Sequence, residues 1–281
     1  MLPFSDPPLS PAAYRFLADL VYRQSRIRLG ADKQALVAGR LGRRLETLGC
    51  GSFEEYCGLL ESPGGEDEIS LLVDLISTNH THFFREAAHF DILAERVLPA
   101  VAARAVAEDR DIRVWCAAAA SGEEAYSLAI VLAEFCGTRP APGWRVFASD
   151  ISRRMLDVCR KGIYEADKVN LPDPALLPRH FLNGVGERQG FYRVKADLRR
   201  RVTTAHVNLF QADYPVPRGL DVVFCRNVMI YFDVESRRAL VERLYEQLAP
   251  GGYLFVGHSE SLLGLGHGFR PAGPSVYVRP A

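Results

Sequence analysis

Apolar side chains recur at helical spacing through the N-terminal part of the chain. The pattern runs across residues 10–77 and predicts a series of amphipathic helices. Ser10 has the side chain and the position of a helix N-cap, and Ser52 with Glu55 matches the capping-box pattern at a later helix start. No alternating strand pattern occurs in this part of the sequence. We therefore predict a small all-α domain over residues 1–77.

Short apolar runs then alternate with helical segments. The predicted core strands are, in order, DIRVWCA, WRVFASD, VTTAHVNLF, LDVVFCRN and YLFVGHS. The predicted helices between them include GEEAYSLAIVLAEFC, SRRMLDVCRKGIY and VESRRALVERLYEQLAPGG, the last with a Pro-Gly-Gly stop. This alternation predicts a mostly parallel sheet with helices on both faces, in an α/β domain over residues 89–281. The final run, VYVRP, follows after a Gly-rich loop and predicts an antiparallel addition to the sheet.

One segment interrupts this alternation. FLNGVGERQGFYRVKADL, residues 181–198, holds two short alternating pieces around GVGERQG, which is typical of a β-hairpin. We predict a β-hairpin subdomain over about residues 180–202, inserted between a helix and the core strand VTTAHVNLF.

The overall composition narrows the classes of function. With 281 residues, 48% of them hydrophobic, the chain can bury a large core. Its 34 basic and 34 acidic residues balance, so no global field favours binding to nucleic acid or to an anionic membrane. The start MLPFSDPPLSP lacks a secretion signal pattern and no run of 18 apolar residues occurs, so we expect no membrane insertion. The six cysteines show no CxxC pair, as expected for reduced thiols in a cytoplasmic protein.

Charge is nevertheless uneven within the helical region. The segment from Arg15 to Arg44 holds eight basic and two acidic residues, a net charge of +6, whereas the segment from Glu46 to Asp74 holds eight acidic and no basic residues, −8. Three arginines fall together on one face of the second predicted helix: Arg40, Arg43 and Arg44. These blocks predict either two solvated helix faces or a face that docks a partner.

Candidate ligand-binding residues follow the predicted strands, because ligands of an open α/β sheet bind beyond the carboxyl ends of its strands. AAAASGEE follows the first strand; its small side chains let a ligand approach the backbone, and its Gly122 can adopt angles closed to other residues. Asp150 follows the second strand, where it can accept hydrogen bonds from two ribose hydroxyls. No phosphate-binding G-x-G-x-x-G or G-x-x-x-x-G-K-S/T motif is present, so the pattern favours a nucleoside without a pyrophosphate, a description that S-adenosylmethionine fits. The alternative is a plain α/β core in which Asp150 caps the next helix.

A second group of polar residues borders the same cleft. The strand LDVVFC leads into RNVMIYF, which contains Arg226, Asn227 and Tyr231, and Asn208 follows the strand VTTAHV. Charged and amide groups at strand ends face the cleft of such a sheet. The alternative is a turn or cap role for Asn227 and a partly buried Tyr231 with its hydroxyl satisfied.

Six motifs stand in a fixed order: TNHTHFFRE, VWCAAAASGEEAYSLAI, VFASDIS, GIYEADKV, FCRNVMIYF and GGYLFVGHSES. In order and spacing they resemble the motifs of the CheR-type chemotaxis receptor methyltransferases, which are protein-glutamate O-methyltransferases. The resemblance implies a Rossmann-like S-adenosylmethionine methyltransferase domain with an inserted β-hairpin subdomain, preceded by a small all-α N-terminal domain. It also implies that residues 78–88 form a linker that contributes to the cofactor site.

The resemblance also implies roles for individual residues. Arg85 and Tyr231 are the implied catalytic residues. The implied binding positions for S-adenosylmethionine and its product S-adenosylhomocysteine are Asn79, Thr81, Arg85, Glu124, Asp150, Asn208, Leu209, Arg226 and Asn227. No metal is expected, because His80 and His82 fall in variable slots of the motif and the H-x-H-x6-H spacing is not a common zinc pattern.

The implied reaction requires positioning more than proton transfer. A glutamate side chain has a reference pKa of about 4.3, so the receptor carboxylate is already an anion at neutral pH. The enzyme has to align this carboxylate with the sulfonium methyl group and exclude water. Arg85 offers paired donors to the carboxylate, and Tyr231 offers a hydroxyl.

The first ligand loop departs from the family pattern. Many members have glycine, cysteine and serine where this chain has Ala118, Ala119 and Ala120. Since alanine resists positive φ, we expect ordinary backbone angles in this loop.

The resemblance finally implies partners. The face of Arg40, Arg43 and Arg44 corresponds to the helix that, in the family, meets the acidic methylation region of a cytoplasmic receptor coiled coil. The GVGERQG loop has the length of members that bind a receptor's C-terminal peptide, for which strand addition is the physical mode. Two other functions stay open: methylation of another protein, a small molecule or RNA, and non-catalytic regulation through S-adenosylmethionine binding. The balanced charge argues against RNA, and the presence of Arg85 and Tyr231 argues against a regulator.

Overall fold

The computed structural model describes residues 7–137 and 142–281. Within these residues the chain forms two compact units. The first contains the residues up to Thr78 together with Tyr231–Asp233, and the second contains Asn79–Ile230 and Val234–Ala281. Of residues 78–88, which the resemblance assigned to a linker, Thr78 belongs to the first unit and the others belong to the second.

Helices make up the N-terminal part of the first unit, as the apolar spacing predicted. They are α1 Pro11–Ser25, a 3₁₀ turn at Ala31–Lys33, α2 Gln34–Leu48, α3 Phe53–Glu61 and α4 Glu66–Ile76. The Ser10 hydroxyl accepts from the Ala13 N–H at 3.2 Å, and the Ser52 hydroxyl accepts from the Glu55 N–H at 3.1 Å. Each such cap stabilises its helix by about 1 kcal/mol. Both predicted helix starts are confirmed.

One apolar core joins these helices. Leu17 from α1, Leu41 from α2, Phe53 from α3 and Leu72 from α4 are all fully buried and belong to the same cluster. Full burial of each such side chain contributes about 1.5–3 kcal/mol. The helices therefore depend on shared packing more than on their individual propensities.

The segment Tyr231–Asp233 packs with the same unit. The Arg28 N–H donates to the Tyr231 carbonyl oxygen at 2.9 Å. The Tyr22 hydroxyl donates to Asp233 Oδ2 at 2.5 Å. Tyr231 therefore belongs to the unit of the N-terminal helices although it lies far along the chain.

Two sheets form the framework of the second unit. Their strands are β1 Ile112–Cys116, β2 Trp144–Asp150, β3 Ile163–Glu165, β4 Phe181–Asn183, β5 Phe191–Val194, β6 Val202–His206, β7 Leu220–Phe224, β8 Leu248–Phe255, β9 Arg270–Gly273 and β10 Val276–Val278. The larger sheet has the strand order β6-β2-β1-β7-β8-β10-β9. Its first five strands pair in parallel, and β10 pairs antiparallel with β8 and β9. The predicted parallel sheet with an antiparallel addition is confirmed.

Helices connect the strands of the second unit. They are α5 Ala88–Ile92, a π-helical turn at Leu93–Val97, α6 Leu98–Ala107, α7 Glu123–Gly137, α8 Arg153–Lys161, α9 Leu176–His180, α10 Ala196–Arg199 and α11 Val234–Gln247. None of the helices in the described part of the chain is both long enough and apolar enough to cross a membrane.

The strand order places a crevice at the centre of the larger sheet. The connection after β1 leads to β2 on one side, whereas the connection after β7 leads to β8 on the other side. Such a switch opens a crevice between the carboxyl ends of the two neighbouring strands, here β1 and β7. The loop AAAASG and the segment RNVMIYF follow these two ends. The topology thus brings together the two ligand loops that the sequence singled out.

The predicted hairpin is part of a three-stranded sheet, ordered β3-β5-β4. β4 and β5 form the hairpin, but the prediction that SRRMLDVCRKGIY is helical to its end is wrong. α8 ends at Lys161, and Gly162 takes a left-handed φ of 59°. Ile163–Glu165 then pair antiparallel with β5, because Tyr164 is buried against aromatic rings that only the folded chain brings together.

The end of the last long helix also differs from the prediction. LAPGG was predicted as the helix terminus, yet α11 ends at Gln247 and β8 begins at Leu248. Leu248 pairs with Leu220 of β7, and an irregularity in the register accommodates the Pro-Gly-Gly segment. The sequence also did not predict β9, whose residues RPAG show no strand pattern.

Candidate functional site

Asp150 ends β2 beside the loop that follows β1. Its Oδ2 accepts from the Ala120 N–H at 2.8 Å and its Oδ1 from the Ser152 N–H at 2.9 Å, and the residue is 7% exposed. The cap of α8 is Ser152, whose hydroxyl accepts from the Met155 N–H. The alternative that Asp150 is merely a helix cap is therefore wrong. Its carboxylate is oriented toward the β1 loop by the backbone.

Ala120 contradicts the expectation of ordinary backbone angles in this loop. Its φ is +46°, in the left-handed region, where alanine costs about 1–2 kcal/mol. The turn brings the Ala120 N–H onto the Asp150 carboxylate, and a hydrogen bond to a charged acceptor offsets such a cost. Gly122 follows with a φ of +100°, and a Cβ there would lie 2.5 Å from Cys159 Sγ. The loop is thus held in a shape that only glycine permits at this second position.

The segment after β6 runs past the end of β2. The Val207 N–H donates to the Asp150 carbonyl oxygen at 3.0 Å, which places Asn208 and Leu209 just beyond Asp150 along the neighbouring strand. Asn208 Oδ1 accepts from the Phe210 N–H at 3.0 Å, and Leu209 is 8% exposed. The structure therefore brings these two predicted cofactor positions close to Asp150.

Arg226, directly after the buried end of β7, is the centre of an ion-pair cluster. Its side chain is fully buried and donates to Glu124 Oε2 at 2.8 Å and to the Arg85 carbonyl oxygen at 2.6 Å. It also lies 2.9 Å from Glu86 Oε2. A buried guanidinium needs such charged partners, because removing it from water is costly. Arg226 thus joins the TNHTHFFRE motif to α7 at the switch point.

The two carboxylates around Arg226 are in different electrostatic states. Burial raises the pKa of Glu124, although Arg226 and the Cys116 thiol, which donates to Oε1 at 3.2 Å, act in the opposite direction. Burial would also raise the pKa of Glu86, but the hydrogen bond and charge of Arg226, together with Asn227, lower it to about 2. Glu86 is therefore the anion that most directly balances the charge of Arg226. Glu124 is almost completely buried.

Asn227 connects this cluster to the next loop. It has a left-handed φ of 56°, and its side-chain Nδ2 donates to Glu86 Oε1 at 3.2 Å. Its backbone N–H donates to Glu260 Oε2 at 2.8 Å. Asn227 does shape a turn, as one interpretation of the sequence allowed, but the turn lies within the polar cluster.

Arg85, Asn79 and Thr81 precede this cluster in the chain. All three are partly exposed, and Arg85 Nη1 donates to the His80 carbonyl oxygen at 2.9 Å. Because the Arg85 carbonyl accepts from Arg226, the backbone of the motif is fixed while the Arg85 side chain reaches solvent. Tyr231, the other predicted catalytic residue, belongs to the first unit.

The rings of His80 and His82 lie close together, with centroids 6.2 Å apart, whereas His89 belongs to a separate, buried cluster. His89 is fully buried and meets Glu86 and His258, with potential ligand atoms of the three within 4.8 Å of one another. Burial lowers the pKa of His89 to about 4, so the ring is neutral at pH 7. The Glu86 carboxylate already accepts from the Asn227 side chain and the His258 N–H, and it pairs with Arg226. The charge of Glu86 is thus committed to Arg226.

Two glutamates of the site were not predicted from the sequence. Glu86 closes the TNHTHFFRE motif, and its contact with Arg226 requires residues that are far apart in the chain. Glu260 in GHSES accepts from three backbone N–H groups. The sequence could have pointed to them only through their positions in the motifs TNHTHFFRE and GGYLFVGHSES. A position in a motif does not tell which residues a side chain contacts in the folded chain.

The three arginines of α2 have unequal environments. Arg44 forms a two-point pair with Glu68, which is 8% exposed and also accepts from the Tyr56 hydroxyl at 2.8 Å. Arg40 donates to the carbonyl oxygens of Ile76 and Ser77 at the end of α4. Arg43 is exposed. Of the predicted docking face, two arginines therefore also stabilise the helical unit.

The sequence matches two protein-family models over nearly its whole length. "CheR methyltransferase, all-alpha domain" matches residues 12–77, and "CheR methyltransferase, SAM binding domain" matches residues 79–278. The chain is 40% identical over 270 residues to the "Chemotaxis protein methyltransferase" of Salmonella typhimurium and to that of Escherichia coli, which in each case covers 96% of this chain and 91% of the relative. It is also 40% identical over 264 residues to "Chemotaxis protein methyltransferase 2" of Pseudomonas aeruginosa, covering 94% of this chain and 91% of the relative.

Proposed function

Because the chain belongs to the CheR methyltransferase family, we propose that it methylates the side-chain carboxylates of specific glutamates in chemoreceptors. It is an S-adenosylmethionine-dependent methyltransferase of chemotactic adaptation. The product on the receptor is a glutamate methyl ester, and the second product is S-adenosylhomocysteine.

The observation that carries the proposal is the arrangement around Asp150. The carboxylate lies at the carboxyl end of β2, and two backbone N–H groups orient it beside the small-residue loop of β1. A carboxylate can accept roughly four hydrogen bonds, so it suits the two hydroxyls of a ribose. The small side chain of the partly exposed Ala118 lets a ligand approach the backbone of this loop.

We propose that the cofactor extends from Asp150 toward the Arg226 cluster. Asn208 and Leu209, just beyond Asp150, are the proposed contacts for the adenine. Asn79, Thr81, Arg85 and Asn227 are the proposed contacts for the methionine end. Glu124 and Arg226 are buried against each other, so we assign them the wall of the site that holds these contacts in place.

The proposed chemistry depends on positioning. When bound, S-adenosylmethionine supplies an electrophilic methyl group on its sulfonium. The Arg85 guanidinium reaches solvent and can hold the receptor carboxylate by paired hydrogen bonds, and the Tyr231 hydroxyl can orient it. No general base is needed, because a glutamate with a pKa of about 4.3 is ionised at neutral pH.

We further propose two receptor contacts. The exposed Arg43, with Arg40 and Arg44 beside it on α2, would meet the acidic methylation region of the receptor. The free edge of β4 in the three-stranded sheet would accept the receptor's C-terminal peptide as an added strand. Leu182 and Val185, 53% and 80% exposed, would contact apolar side chains of that peptide.

Calorimetric titration of S-adenosylmethionine and S-adenosylhomocysteine tests the cofactor site. We expect micromolar or tighter binding to the wild type, and at least a tenfold loss in Asp150→Ala, because a hydrogen-bonded charged acceptor is worth about 1.5–3 kcal/mol. Arg85→Ala should lose methyl transfer, because its proposed main partner is the receptor carboxylate, and its product affinity should fall less than that of Asp150→Ala, because its contact with the methionine end is partly exposed to solvent. Equal affinity of wild type and Asp150→Ala would remove Asp150 from the site.

A further inference from the structure

Glu260 links the two loops that follow β7 and β8. Glu260 is 6% exposed. Its Oε2 accepts from the Asn227 N–H at 2.8 Å and from the Gly257 N–H at 2.6 Å, and its Oε1 accepts from the Met229 N–H at 2.7 Å. We refer to this carboxylate and its three N–H donors as the Glu260 clasp.

The Glu260 clasp fixes a left-handed backbone conformation. Asn227 has a φ of 56°, a region that few residues other than glycine occupy, although asparagine is among those that tolerate it. Hydrogen bonds from N–H groups to a carboxylate are about twice as strong as those between neutral groups. Three of them on one buried carboxylate hold the loop in this shape, and the bond from Met229 sets the start of the 3₁₀ turn Met229–Tyr231.

Asn227 is enclosed from the opposite side as well. Its side chain donates to Glu86 Oε1, while a Cβ at Gly257 would lie 2.5 Å from Asn227 Nδ2 and 2.9 Å from Glu260 Oε2. Glycine at 257 is therefore required for the two loops to approach each other. Asn227 is held through its backbone by Glu260 and through its side chain by Glu86.

We infer that Glu260 is a positioning residue for cofactor binding. It need not touch the cofactor itself. It acts through Asn227, whose left-handed conformation turns the amide toward Glu86 and sets the wall beside Arg226. The inference rests on the proposed cofactor site at Arg226 and Asn227.

Glu260→Gln tests the inference. The amide offers one acceptor oxygen instead of two and presents an NH₂ group to a backbone N–H, so at least one of the three bonds is lost. We expect the dissociation constant of S-adenosylhomocysteine to rise by about tenfold or more, with the KM for S-adenosylmethionine rising in parallel. Titrations are made at a temperature at which every variant is folded.

Asp221→Asn is the matched control. Asp221 is a fully buried carboxylate on β7, the strand that leads to Asn227, and it accepts from Arg104, Arg110 and the Arg113 N–H. It precedes the carboxyl end of β7 and lies outside the proposed site. Asp221→Asn should lower the melting temperature as Glu260→Gln does, yet keep the wild-type affinity for S-adenosylhomocysteine.

Gly257→Ala keeps the inference testable if Glu260→Gln does not fold. The added methyl group displaces Asn227 and Glu260 without changing charge, and it should weaken product binding to a similar extent. Wild-type affinity in the folded Glu260→Gln or Gly257→Ala protein, or equal losses in Asp221→Asn, would overturn the positioning role and leave the proposed function standing. A wild-type chain that binds no S-adenosylhomocysteine would overturn both.

Discussion

Glu86 shows how one residue joins sequence-distant parts of the site. Its carboxylate pairs with the buried Arg226 and accepts from the Asn227 side chain and the His258 N–H. These partners come from the ends of β7 and β8, whereas Glu86 precedes α5. The residue therefore stabilises the folded site only in its ionised form.

This charge pairing predicts a pH-dependent stability. The pKa of Glu86 is about 2 in the folded chain, against an ordinary value of 4.5. Its contribution is complete above about pH 4.5 and is lost as the pH falls toward 2. Because solvent reaches part of the carboxylate, we expect Glu86→Gln to lower the free energy of unfolding at pH 7 by roughly 1–2 kcal/mol.

Urea denaturation at a series of pH values measures this effect. The difference between wild type and Glu86→Gln should shrink between pH 5 and pH 2. Glu95→Gln, at an exposed glutamate of the same unit, serves as the control and should differ little from the wild type at any pH. A constant difference down to pH 2 would show that Glu86 acts by packing instead of by charge.

The sequence predicted which polar residues lie at the ends of strands, but it did not predict their hydrogen-bond partners. Asp150 was identified because an acid after a strand of an α/β sheet faces the crevice. The positive φ of Ala120 could not be foreseen, since it depends on a hydrogen bond across two loops that outweighs the preference of alanine. The same is true of Glu260, whose three donors come from two separate loops.

At the scale of elements, the inserted subdomain offers an unpaired strand edge. Among the described residues, β4 pairs with β5 on one side only. The Gly184 N–H and the His180 carbonyl bond to β5, so by strand alternation the N–H groups of Phe181 and Asn183 face away from β5. The Phe181 N–H donates to the Leu177 carbonyl oxygen at the end of α9, so Asn183 is the residue whose N–H would donate to an added peptide strand.

Asn183→Pro tests strand addition at this edge. Proline removes the outward N–H and places a ring in the path of an added strand, while no ladder bond to β5 is lost. We expect the affinity for a peptide with the receptor's C-terminal sequence to fall by about tenfold or more, as measured by fluorescence anisotropy. Val106→Ala, at an exposed apolar residue of α6 outside the three-stranded sheet, is the control and should leave the affinity unchanged. Unchanged binding to a folded Asn183→Pro protein would argue against strand addition at β4.

Elements with strong local signals matched the structure, and those defined by long-range pairing did not. The capped helices α1 and α3 begin where the sequence predicted. Ile163–Glu165 continue a helical pattern in sequence, yet they form β3 because β5 offers backbone partners and a buried place for Tyr164. β8 likewise extends through a Pro-Gly-Gly segment because β7 pairs with its first residue. Pairing of this kind overrides local propensity.

At the scale of the whole molecule, the basic segment of the first unit is the proposed receptor surface. Arg44 is engaged by Glu68 and Arg40 by the end of α4, so Arg43 is the arginine of this face with the most exposed charge. We expect Arg43→Glu to reduce kcat/KM for receptor methylation by about tenfold at low salt, with a smaller effect at high salt.

Arg23→Glu provides the matched charge reversal for this prediction. Arg23 is exposed on α1, within the same basic stretch but outside the face of α2. Both variants should bind S-adenosylhomocysteine like the wild type. Equal losses of receptor methylation in the two variants would indicate a general charge effect and would refute a specific docking role for Arg43.

The most direct test of the central claim is transfer of an isotopically labelled methyl group from S-adenosylmethionine to the purified cytoplasmic domain of a chemoreceptor from the same organism. Methyl esters hydrolyse in mild alkali, whereas N-methyl groups do not, so the label is measured as volatile methanol after base treatment. We expect base-labile label on the receptor, lost when the receptor's modified glutamates are replaced by alanine and reduced at least tenfold by Asp150→Ala in the enzyme when S-adenosylmethionine is sub-saturating. Base-stable label, or none on any receptor from an enzyme that binds the cofactor, would contradict the proposed function.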